Sequence, residues 1–515
     1  MASPPSWFEP GSEFDRWPEL IFRSLRLSSL TAISAPALGI AIAFALVRCR
    51  WTLAVPTRFL WSLGLFLPLP IVATVWLGAI SNLGRSQVFG ISSRPLITGW
   101  SAAWFVHTIA TLPLVVTILA MTLERTDADL EADARLRHPR RLAIVHSTLR
   151  SIRPTIFATI LIVLIVTTGD MTVTDLVQER TFAEETYLQA QMGDGLTAAA
   201  RTALPITAIL SLAILAWIRF DSRKFGETIR PGLRKSEVAP WFMGKEGKIA
   251  GMTVLAVTVL VGILPLFSLV WRAGRSGGVA SIERFPSWSI GALARNLVDA
   301  APDLSDTSLW TLSISLIVAI AGTVIAWCMV RTMADSKPGR IALALGASLG
   351  LAVPGPVAGL AVLWLWMPVP VIYDSPFVIV MAILFRFLGI AVFLLWAAFC
   401  SIQEEIEEYA CLNGLNGYER FRRIEWPIMA PTACVSALAM FALALGELPA
   451  TNMTVPPGVE MMSVRLWSLM HTGMESHLAA FVLLMTIVLS GFFGATLLLA
   501  SVVLRGRRRA STMIE

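Results

Sequence analysis

Residues 401–431 read SIQEEIEEYACLNGLNGYERFRRIEWPIMAP, the longest strongly charged stretch that lies between two apolar runs of this chain. The pattern predicts two short helices with a turn between them. Ser401 and Glu404 have the spacing of a capping box at the start of the first helix. Gly414 falls where the C-terminus of that helix needs a residue in the left-handed conformation. The stretch is therefore predicted to be a helix–turn–helix element.

The second of these helices is basic and is predicted to cover residues 418–424. Pro427 and Pro431 follow it, and because proline interrupts the hydrogen-bond ladder of a helix, we expect the helix to end there. Charge pattern alone leaves two interpretations open. The stretch is either a solvated connection between membrane helices or a surface that binds a partner.

The composition around this stretch is that of a membrane protein. The chain has 515 residues, of which 56% are hydrophobic and only 15% are charged, and its mean hydropathy is +0.70. Such long apolar runs predict a polytopic protein whose environment is the lipid bilayer. The net charge of +6 does not indicate nucleic-acid binding, because the Lys and Arg residues lie in short loops beside the apolar runs.

The apolar runs predict an all-α integral membrane fold with about eleven transmembrane helices, each near the ~20 residues that cross a bilayer. The predicted spans are residues 30–47, 59–80, 97–123, 154–169, 203–217, 249–271, 309–330, 341–366, 377–400, 428–446 and 478–504. The positive-inside rule places the charged loops 124–153 and 401–427 in the cytoplasm, with the N-terminus outside and the C-terminus inside.

An internal repeat is visible in the sequence. SLGLFLPLPI at 62–71 matches SLGLAVPGPV at 348–357, an offset of 348 − 62 = 286. Two further matches keep the same order: Gly39 and Arg48 with Gly322 and Arg331 (331 − 48 = 283), and Pro154, Gly169 and Asp170 with Pro431, Gly446 and Glu447 (447 − 170 = 277). The chain is therefore predicted to contain two parallel pseudo-repeats.

This repeat predicts the domain organisation. We expect an extracytoplasmic tail over 1–29, a first half over 30–220, a cytoplasmic linker over 221–248, a second half over 249–505 and a basic cytoplasmic tail over 506–515. The span at 249–271 has no partner in the first half.

The charged stretch resembles a known motif. The order Glu408-Tyr409-Ala410, then Gly414, then Ile424-Glu425-Trp426-Pro427 is similar to the EAA loop of binding-protein-dependent ABC importer permeases. That family has Glu-Ala-Ala, a glycine, and then Ile or Val-x-Leu-Pro, so Tyr409 and Trp426 depart from its pattern. In the family this loop is the socket for the ATPase subunit. The resemblance therefore implies that Glu408, Ala410, Gly414 and Pro427 couple the chain to an ATPase.

The first charged loop resembles the same motif in a degraded form. The offset of 277 sets Glu131-Ala132-Asp133 opposite Glu408-Tyr409-Ala410, and it sets Arg137 where Gly414 stands. Pro139 cannot continue a helix, so a turn is still expected after Arg137. The resemblance thus extends the predicted coupling residues to Glu131, Ala132 and Arg137.

The resemblance implies the ABC importer permease fold in the inner membrane and two partners, a cytoplasmic ATPase dimer and an extracytoplasmic solute-binding protein. The segment after the second loop looks like that of iron(III) permeases, although thiamine, phosphonate and polyamine permeases share much of its pattern. An ion-coupled secondary transporter is the alternative class. No nucleotide-binding phosphate loop, metal spacing or hydrolase motif occurs, so neither catalytic residues nor cofactors are predicted, and ATP is expected on the partner.

Several residues are candidates for the translocation path. Pro68 and Pro70 in the first half, like Pro354 and Pro356 in the second, either kink a helix or break helices that line the path. Asp170 and Glu447 are either inert hydrated carboxylates or line the outer mouth. Arg386 must snorkel, pair or face a wet cavity. We expect His107 to pack between helices rather than to bind a ligand.

Overall fold

The structure is a computed structural model that describes residues 13–85, 97–192, 195–220, 240–276, 287–400, 402, 406, 412–472 and 475–511. Within this part of the chain, nine helices are long and apolar enough to cross a membrane. Two pairs of shorter helices pass the same test when each pair is counted as one bent span, which gives eleven. The prediction of an all-α protein with many membrane spans is confirmed.

The described part of the first half consists of ten helices, some long and some short. They are α1 (Glu13–Arg48), α2 (Ala54–Gly64), α3 (Leu69–Arg85), α4 (Trp100–Leu123), α5 (Ala128–Arg137), α6 (Arg140–Ile144), α7 (Arg150–Thr168), α8 (Thr172–Leu176), α9 (Phe182–Met192) and α10 (Leu196–Phe220). Helix α1 begins well before the predicted span at 30–47.

A connecting region follows; its helix lies mostly within the predicted second half, 249–505, but is described separately because it packs on helices of both halves. It contains α11 (Gly244–Ala273) and the short antiparallel strands β1 (Arg275–Ser276) and β2 (Ser287–Trp288). The second half has α12 (Ile290–Met333), α13 (Lys337–Ala352), α14 (Gly355–Trp366), α15 (Pro370–Tyr373), α16 (Phe377–Phe399), α17 (Gly417–Arg420), α18 (Trp426–Gly446), α19 (Pro449–Thr454), α20 (Met462–Thr472) and α21 (Glu475–Ser511).

Two predicted single spans are each a broken pair of helices. Helices α2 and α3 meet at 106°, and α13 and α14 meet at 110°. The prolines explain the second break, because the residue before a proline is driven out of the helical conformation. Val353, with ψ 127°, and Pro354, with ψ 146°, are both extended. The bends are far larger than the simple kink that one interpretation of the sequence allowed.

Prolines do not end the helix of the second charged loop, so the prediction of a helix that stops before Pro427 is wrong. The chain stays helical from Gly417 to Gly446 through a π-helical turn at Phe421–Glu425. A π turn shifts the hydrogen-bond register, and the proline nitrogen then falls at the start of the next α-helical ladder, where no donor is required. A second π turn, Val145–Leu149, joins α6 to α7, so this helix also starts before the predicted residue 154.

Packing crosses between the halves in a reciprocal way. Helix α10 of the first half packs on α13 and α14, and α21 of the second half packs on α2 and α3. Helix α11 lies against α3 and α21 and also contacts α1, α2 and α12. The main apolar core contains residues of α12, α16, α18 and α21.

Contacts define two ends of the bundle. At the loop end, Arg48 of α1 reaches Glu131 in the first charged loop. The rings of Trp217 and Phe393 lie 6.4 Å apart, which sets the C-terminal parts of α10 and α16 at one level. Helix α10 starts after Glu179, which pairs with Arg26 at the opposite far end, and it is long enough to cross the membrane, so it ends on the side of the first loop. Because α16 leads into the second charged loop, both loops lie at this end.

Candidate functional site

The first charged loop is held to α1 by a buried ion pair. Arg48 Nη2 lies 2.8 Å from Glu131 Oε1, and both side chains are almost fully buried. Thr126 and Thr148 donate hydrogen bonds to the same carboxylate oxygen, at 3.1 and 2.8 Å. Glu131 is therefore satisfied inside the chain, and any part that it has in coupling is indirect. Its neighbour Ala132 is exposed.

The turn of the first loop forms without a left-handed residue. Helix α5 ends at Arg137, and His138 and Pro139 are extended, with ψ 148° and 150°. Arg137 is exposed and pairs with Asp133 one turn earlier, at 2.8 Å. The turn expected from Arg137-His138-Pro139 is thus present, and α6 begins directly after it.

The second loop turns at Gly414, whose φ of +66° is left-handed as the sequence predicts. Among the described residues, no group lies within 4 Å of the position that a Cβ would take there, so the strain argued for a side chain is that of the backbone. Asn416 then caps α17 in a capping box with Glu419. Pro427 lies in the first turn of α18. Glu408, Ala410 and the predicted cap at Ser401 and Glu404 lie outside the described residues.

Both loops tie the end of a long helix to a carboxylate. Arg331, which ends α12 as Arg48 ends α1, has its Nε 3.1 Å from Glu425 Oε2. Glu425 belongs to the π turn, is buried, and has a second basic neighbour in Arg420 at 3.1 Å. The two basic residues, Arg48 and Arg331, are repeat equivalents, whereas their carboxylate partners are not, because the offset of 277 sets Glu425 opposite Thr148.

The two loops also present apolar side chains to the outside at matching positions. Leu136 is 87% exposed and Leu412 is 86% exposed. Their offset, 412 − 136 = 276, equals the offset of the two π turns, 421 − 145 = 276. Each loop therefore exposes one large apolar side chain at a matching position on an otherwise charged surface.

Arg386 is paired at the centre of the bundle, which settles the three alternatives that the sequence left open. Its Nη1 lies 2.6 and 2.7 Å from the two carboxylate oxygens of Glu447. Its Nη2 donates to the main-chain oxygen of Gly169, which belongs to the first half, at 3.1 Å. Pairing removes the insertion cost of an isolated arginine, about 2.5–3.5 kcal/mol.

Glu447 and Asp170 hold the same position in the two halves, and both are buried. Asp170 accepts hydrogen bonds from the main-chain N–H groups of Thr172 and Val173 at 3.1 and 2.9 Å. Glu447 accepts one from Ala450 at 2.8 Å. Neither carboxylate is hydrated and exposed, so that interpretation is wrong for both.

His107 fills the role for Asp170 that Arg386 fills for Glu447. Its Nε2 lies 3.2 Å from Asp170 Oδ2, and its Nδ1 lies 2.8 Å from the main-chain oxygen of Ala103. The side chain has no exposed surface. His107 is thus a packed residue, as expected, with an added polar partner.

The breaks in the two helix pairs lie close to Glu447 and its partner Arg386. Pro68 packs on Gly446, since a Cβ added to this glycine would lie 3.2 Å from the Cβ of Pro68. A Cβ on Gly355, directly after Pro354, would be 2.6 Å from Arg386 Nη1.

The second proline of each pair lies just inside the following helix. Pro356 is buried in the first turn of α14, and the main-chain oxygen of Pro70 accepts a hydrogen bond from Thr74. The structure thus brings Pro68 and Pro354 close to the paired charges of the second half, while the role of these prolines in a path stays a prediction.

Two polar contacts that the sequence did not predict join the halves at the far end. His471 Nε2 lies 3.1 Å from Asp175 Oδ2, and Asn452 Nδ2 donates to the Tyr187 hydroxyl at 3.0 Å. Asp175 and Asn452 are related by the offset 452 − 175 = 277, so the repeat could have indicated them. Nearby, burial raises the pKa of the Glu184 carboxyl to about 7, and the charge of Asp175 acts in the same direction.

A metal or cofactor site is not evident in the described part of the chain. No group of three or more His, Cys, Asp or Glu side chains there is arranged to hold a metal ion. The arrangement of charged side chains is one of internal pairs, which position helices.

Comparison with known proteins does not identify a family. No family model matches this chain, and no characterised protein matches it in a sequence search.

Proposed function

We propose that this chain is the membrane subunit of an ATP-driven importer of the binding-protein-dependent ABC class. In this proposal the two halves are parallel pseudo-repeats that form the translocation path in the inner membrane. A cytoplasmic ATPase dimer docks on the two charged loops, and hydrolysis takes place on that partner.

The single observation that carries the proposal is that a charged loop, a π turn and a long helix occur twice in the same order, at offsets of 276 (421 − 145) and 277 (446 − 169). Each π turn leads into a helix that ends in a glycine followed by a buried acid, at Gly169-Asp170 and Gly446-Glu447. A two-fold partner needs two such surfaces, and the chain offers them at the same end of its bundle.

The outer faces of the loops suit a protein partner. Leu136 and Leu412 project from surfaces that also carry many charges, and Tyr418 is 70% exposed beside the second. Aromatic and apolar anchors with a charged rim are the common composition of a protein interface. The internal anchoring by Glu131 and Glu425 allows a load on each surface to reach the helix behind it.

The cargo that we propose is ferric iron or a small iron chelate, delivered by an extracytoplasmic solute-binding protein. This choice rests on the resemblance of residues 446–467 to iron(III) permeases, and thiamine, a phosphonate or a polyamine is the alternative. The partner protein would supply most of the affinity for the cargo.

The experiment begins with co-purification of the chain and its ATPase, followed by reconstitution with the binding protein in vesicles. Uptake of labelled ferric citrate, thiamine, a phosphonate and spermidine is compared with and without ATP. We expect ATP-dependent uptake of iron alone. Uptake of another cargo without iron transport would contradict the iron assignment. If no ATPase binds the chain, the importer assignment is wrong.

An ion-coupled secondary transporter remains the second candidate, because broken helices such as α2–α3 and α13–α14 also occur in that class. A transporter of that class does not require two charged loops with exposed leucines at the same end of the bundle. Uptake driven by an ion gradient in vesicles that lack ATPase would favour it.

A further inference from the structure

The segment that precedes α11 closes over the first charged loop. The indole of Trp241 is buried, and its N–H donates to Thr148 Oγ1 at 3.2 Å. The guanidinium of Arg135, on α5, lies 3.9 Å from the centre of the same ring. The main-chain N–H of Trp241 also donates to the oxygen of Arg48 at 2.8 Å. One side chain thus contacts both helical parts of the loop.

A second set of contacts fastens the start of α11 to the same loop. Arg140 makes two hydrogen bonds to the carboxylate of Glu246, at 2.6 and 3.1 Å. Its guanidinium also lies 4.5 Å from the centre of the Phe242 ring. Gly247 allows a close approach, since a Cβ there would lie 2.8 Å from the Phe242 oxygen. Residues 240–247 are therefore a clamp on the loop.

Helix α11 continues from this clamp to both members of the first broken helix pair. Near its middle, Thr258 accepts a hydrogen bond from the indole of Trp61 on α2, at 3.0 Å. Near its end, buried Arg272 donates to the main-chain oxygen of Thr74 on α3, at 3.3 Å. One helix therefore contacts the first loop, α2 and α3 in turn.

The second loop obtains its aromatic packing from its own half. Trp327 of α12 lies 5.6 Å from Phe421 and from Trp426, measured between ring centres. The first loop instead receives Trp241 and Phe242 from the connecting region. The two loops therefore have different supports, even though their π turns match.

We propose that α11 is a strut that transmits movement of the first charged loop to the broken pair α2–α3, with residues 240–247 as its clamp. This inference rests on the proposed function, because a docked ATPase would supply the movement. A helix of this length reaches about 45 Å, and it stays helical through Pro265, which lies between Thr258 and Arg272. Trp241, Glu246, Thr258 and Arg272 are positioning residues in this arrangement.

The first test measures whether the loop and α2 move together. Spin labels are placed on Leu142→Cys in α6 and Leu60→Cys in α2, two exposed positions outside the proposed docking anchors, after the five native cysteines are changed to serine. The complex with ATPase is compared before and after trapping with ATP and vanadate. We expect the distance between the labels to stay constant in the parent and to change in Trp241→Ala. A pair at Leu142 and Arg422, both exposed, reports whether the loops move relative to each other.

The second test measures coupling in vesicles as labelled ferric citrate taken up per ATP hydrolysed. Trp241→Ala should lower this ratio about tenfold while ATPase binding is kept, and Trp241→Phe should restore most of it. Arg140→Glu should also lower the ratio, and the addition of Glu246→Arg should recover it. Leu260→Ala, on the exposed face of α11, is the control and should change nothing.

The outcomes separate the two proposals. If ATPase does not bind the parent chain, the proposed function is wrong and the strut loses its premise. If the parent complex forms and the label distance is the same in Trp241→Ala as in the parent, the strut is wrong and the importer assignment stands. If Trp241→Ala fails to insert into the membrane, the distance between the labels is measured in the surface variant Arg140→Glu instead. A distance in that variant equal to the parent's would overturn the strut.

Discussion

At the residue scale, Arg386 and Glu447 form a buried charged pair within the second half, and Arg386 extends it to the first half by one hydrogen bond. Glu447 is 3% exposed, and Arg386 also reaches the main chain of the first half through Gly169. A buried charge that loses its partner is far more costly than the pair is stabilising. The pair is therefore a point at which single substitutions have a large effect.

We predict that Glu447→Gln destabilises the protein by about 3–5 kcal/mol, because it leaves Arg386 without a counter-charge. The double variant Arg386→Gln with Glu447→Gln should recover part of this loss. Thermal unfolding in detergent gives the comparison. Equal stability of the single and double variants would show that the charge pair is not what stabilises this position.

Gly414 and Arg137 hold equivalent places in the two loops with different backbone conformations. Gly414→Val forces a β-branched residue into the left-handed region, at a cost of about 1–2 kcal/mol, and should misdirect α17. Arg137→Gly makes no such demand and should be mild. Membrane insertion, ATPase co-purification and uptake are measured for each variant. Equal losses from both, or normal uptake in Gly414→Val, would contradict the predicted difference between the loops.

Glu184 gives a pH dependence whose sign can be worked out. Burial raises its pKa from an ordinary 4.5 to about 7, so the native state holds a proton that the unfolded state has released between these values. Its contribution to stability is therefore complete below pH 4.5 and is lost as the pH rises through 7. Glu184→Gln should reduce the change in the free energy of unfolding between pH 4.5 and 8 by about 1–3 kcal/mol. Melting temperatures of both proteins from pH 4.5 to 8 test this, and parallel curves would refute it.

At the scale of elements, the break between α13 and α14 is fixed by packing as much as by proline. Gly355 lies so close to α19 and Arg386 that a Cβ would approach Pro449 Cβ to 2.5 Å. The bend and the buried ion pair therefore occupy one tightly packed region. Glycine is required at this position because there is no room for a side chain, and not because the backbone is left-handed.

A matched pair of glycine substitutions tests this packing. Gly355→Ala should destabilise the protein by about 1–3 kcal/mol, because the new methyl group displaces Arg386 or Pro449. Gly346→Ala, in the neighbouring helix α13, should stabilise it by about 0.5–1 kcal/mol, because no atom of the described part of the chain lies within 4 Å of the Cβ position. Thermal unfolding measures both. A neutral Gly355→Ala would mean that α14 can shift away from α19 at little cost.

The sequence predicts most elements because each membrane helix needs a long apolar run, and apolar runs are visible without a structure. Hydropathy cannot show the breaks at Pro68 and Pro354 as changes of direction, since the run on either side is equally apolar. It also cannot show the π turns, one of which allows the helix to continue through Pro427. The partners of Arg386 and Trp241 are far away in sequence, so their contacts depend on tertiary packing.

At the scale of the whole molecule, several of the polar contacts between the halves lie toward the far end. Asp175 with His471 and Tyr187 with Asn452 bring short helices of one half against those of the other. Asp175 and Asn452 are separated by 277 residues (452 − 175), so each half brings one of this matched pair to the interface. An importer that opens this end must separate them.

A reversible cross-link tests whether this separation is needed. Asp175→Cys with His471→Cys, joined by a short reducible reagent in a chain without other cysteines, should abolish uptake, and reduction should restore it. The control joins Asp303→Cys to His477→Cys, a pair 2.9 Å apart within the second half, and should transport normally. Normal uptake with the first link in place would show that the halves do not part at this end.

Helix α11 finally determines where this chain can be divided into two fragments. It packs on α1, α2 and α3 of the first half as well as on α12 and α21 of the second, and β1 and β2 close the connection after it. A fragment of residues 1–276 keeps Trp241 over the first loop and Arg272 on α3, whereas a fragment of residues 1–220 loses both. The longer fragment should resist proteolysis better when produced alone, and two separate genes for this protein would meet best within residues 277–286.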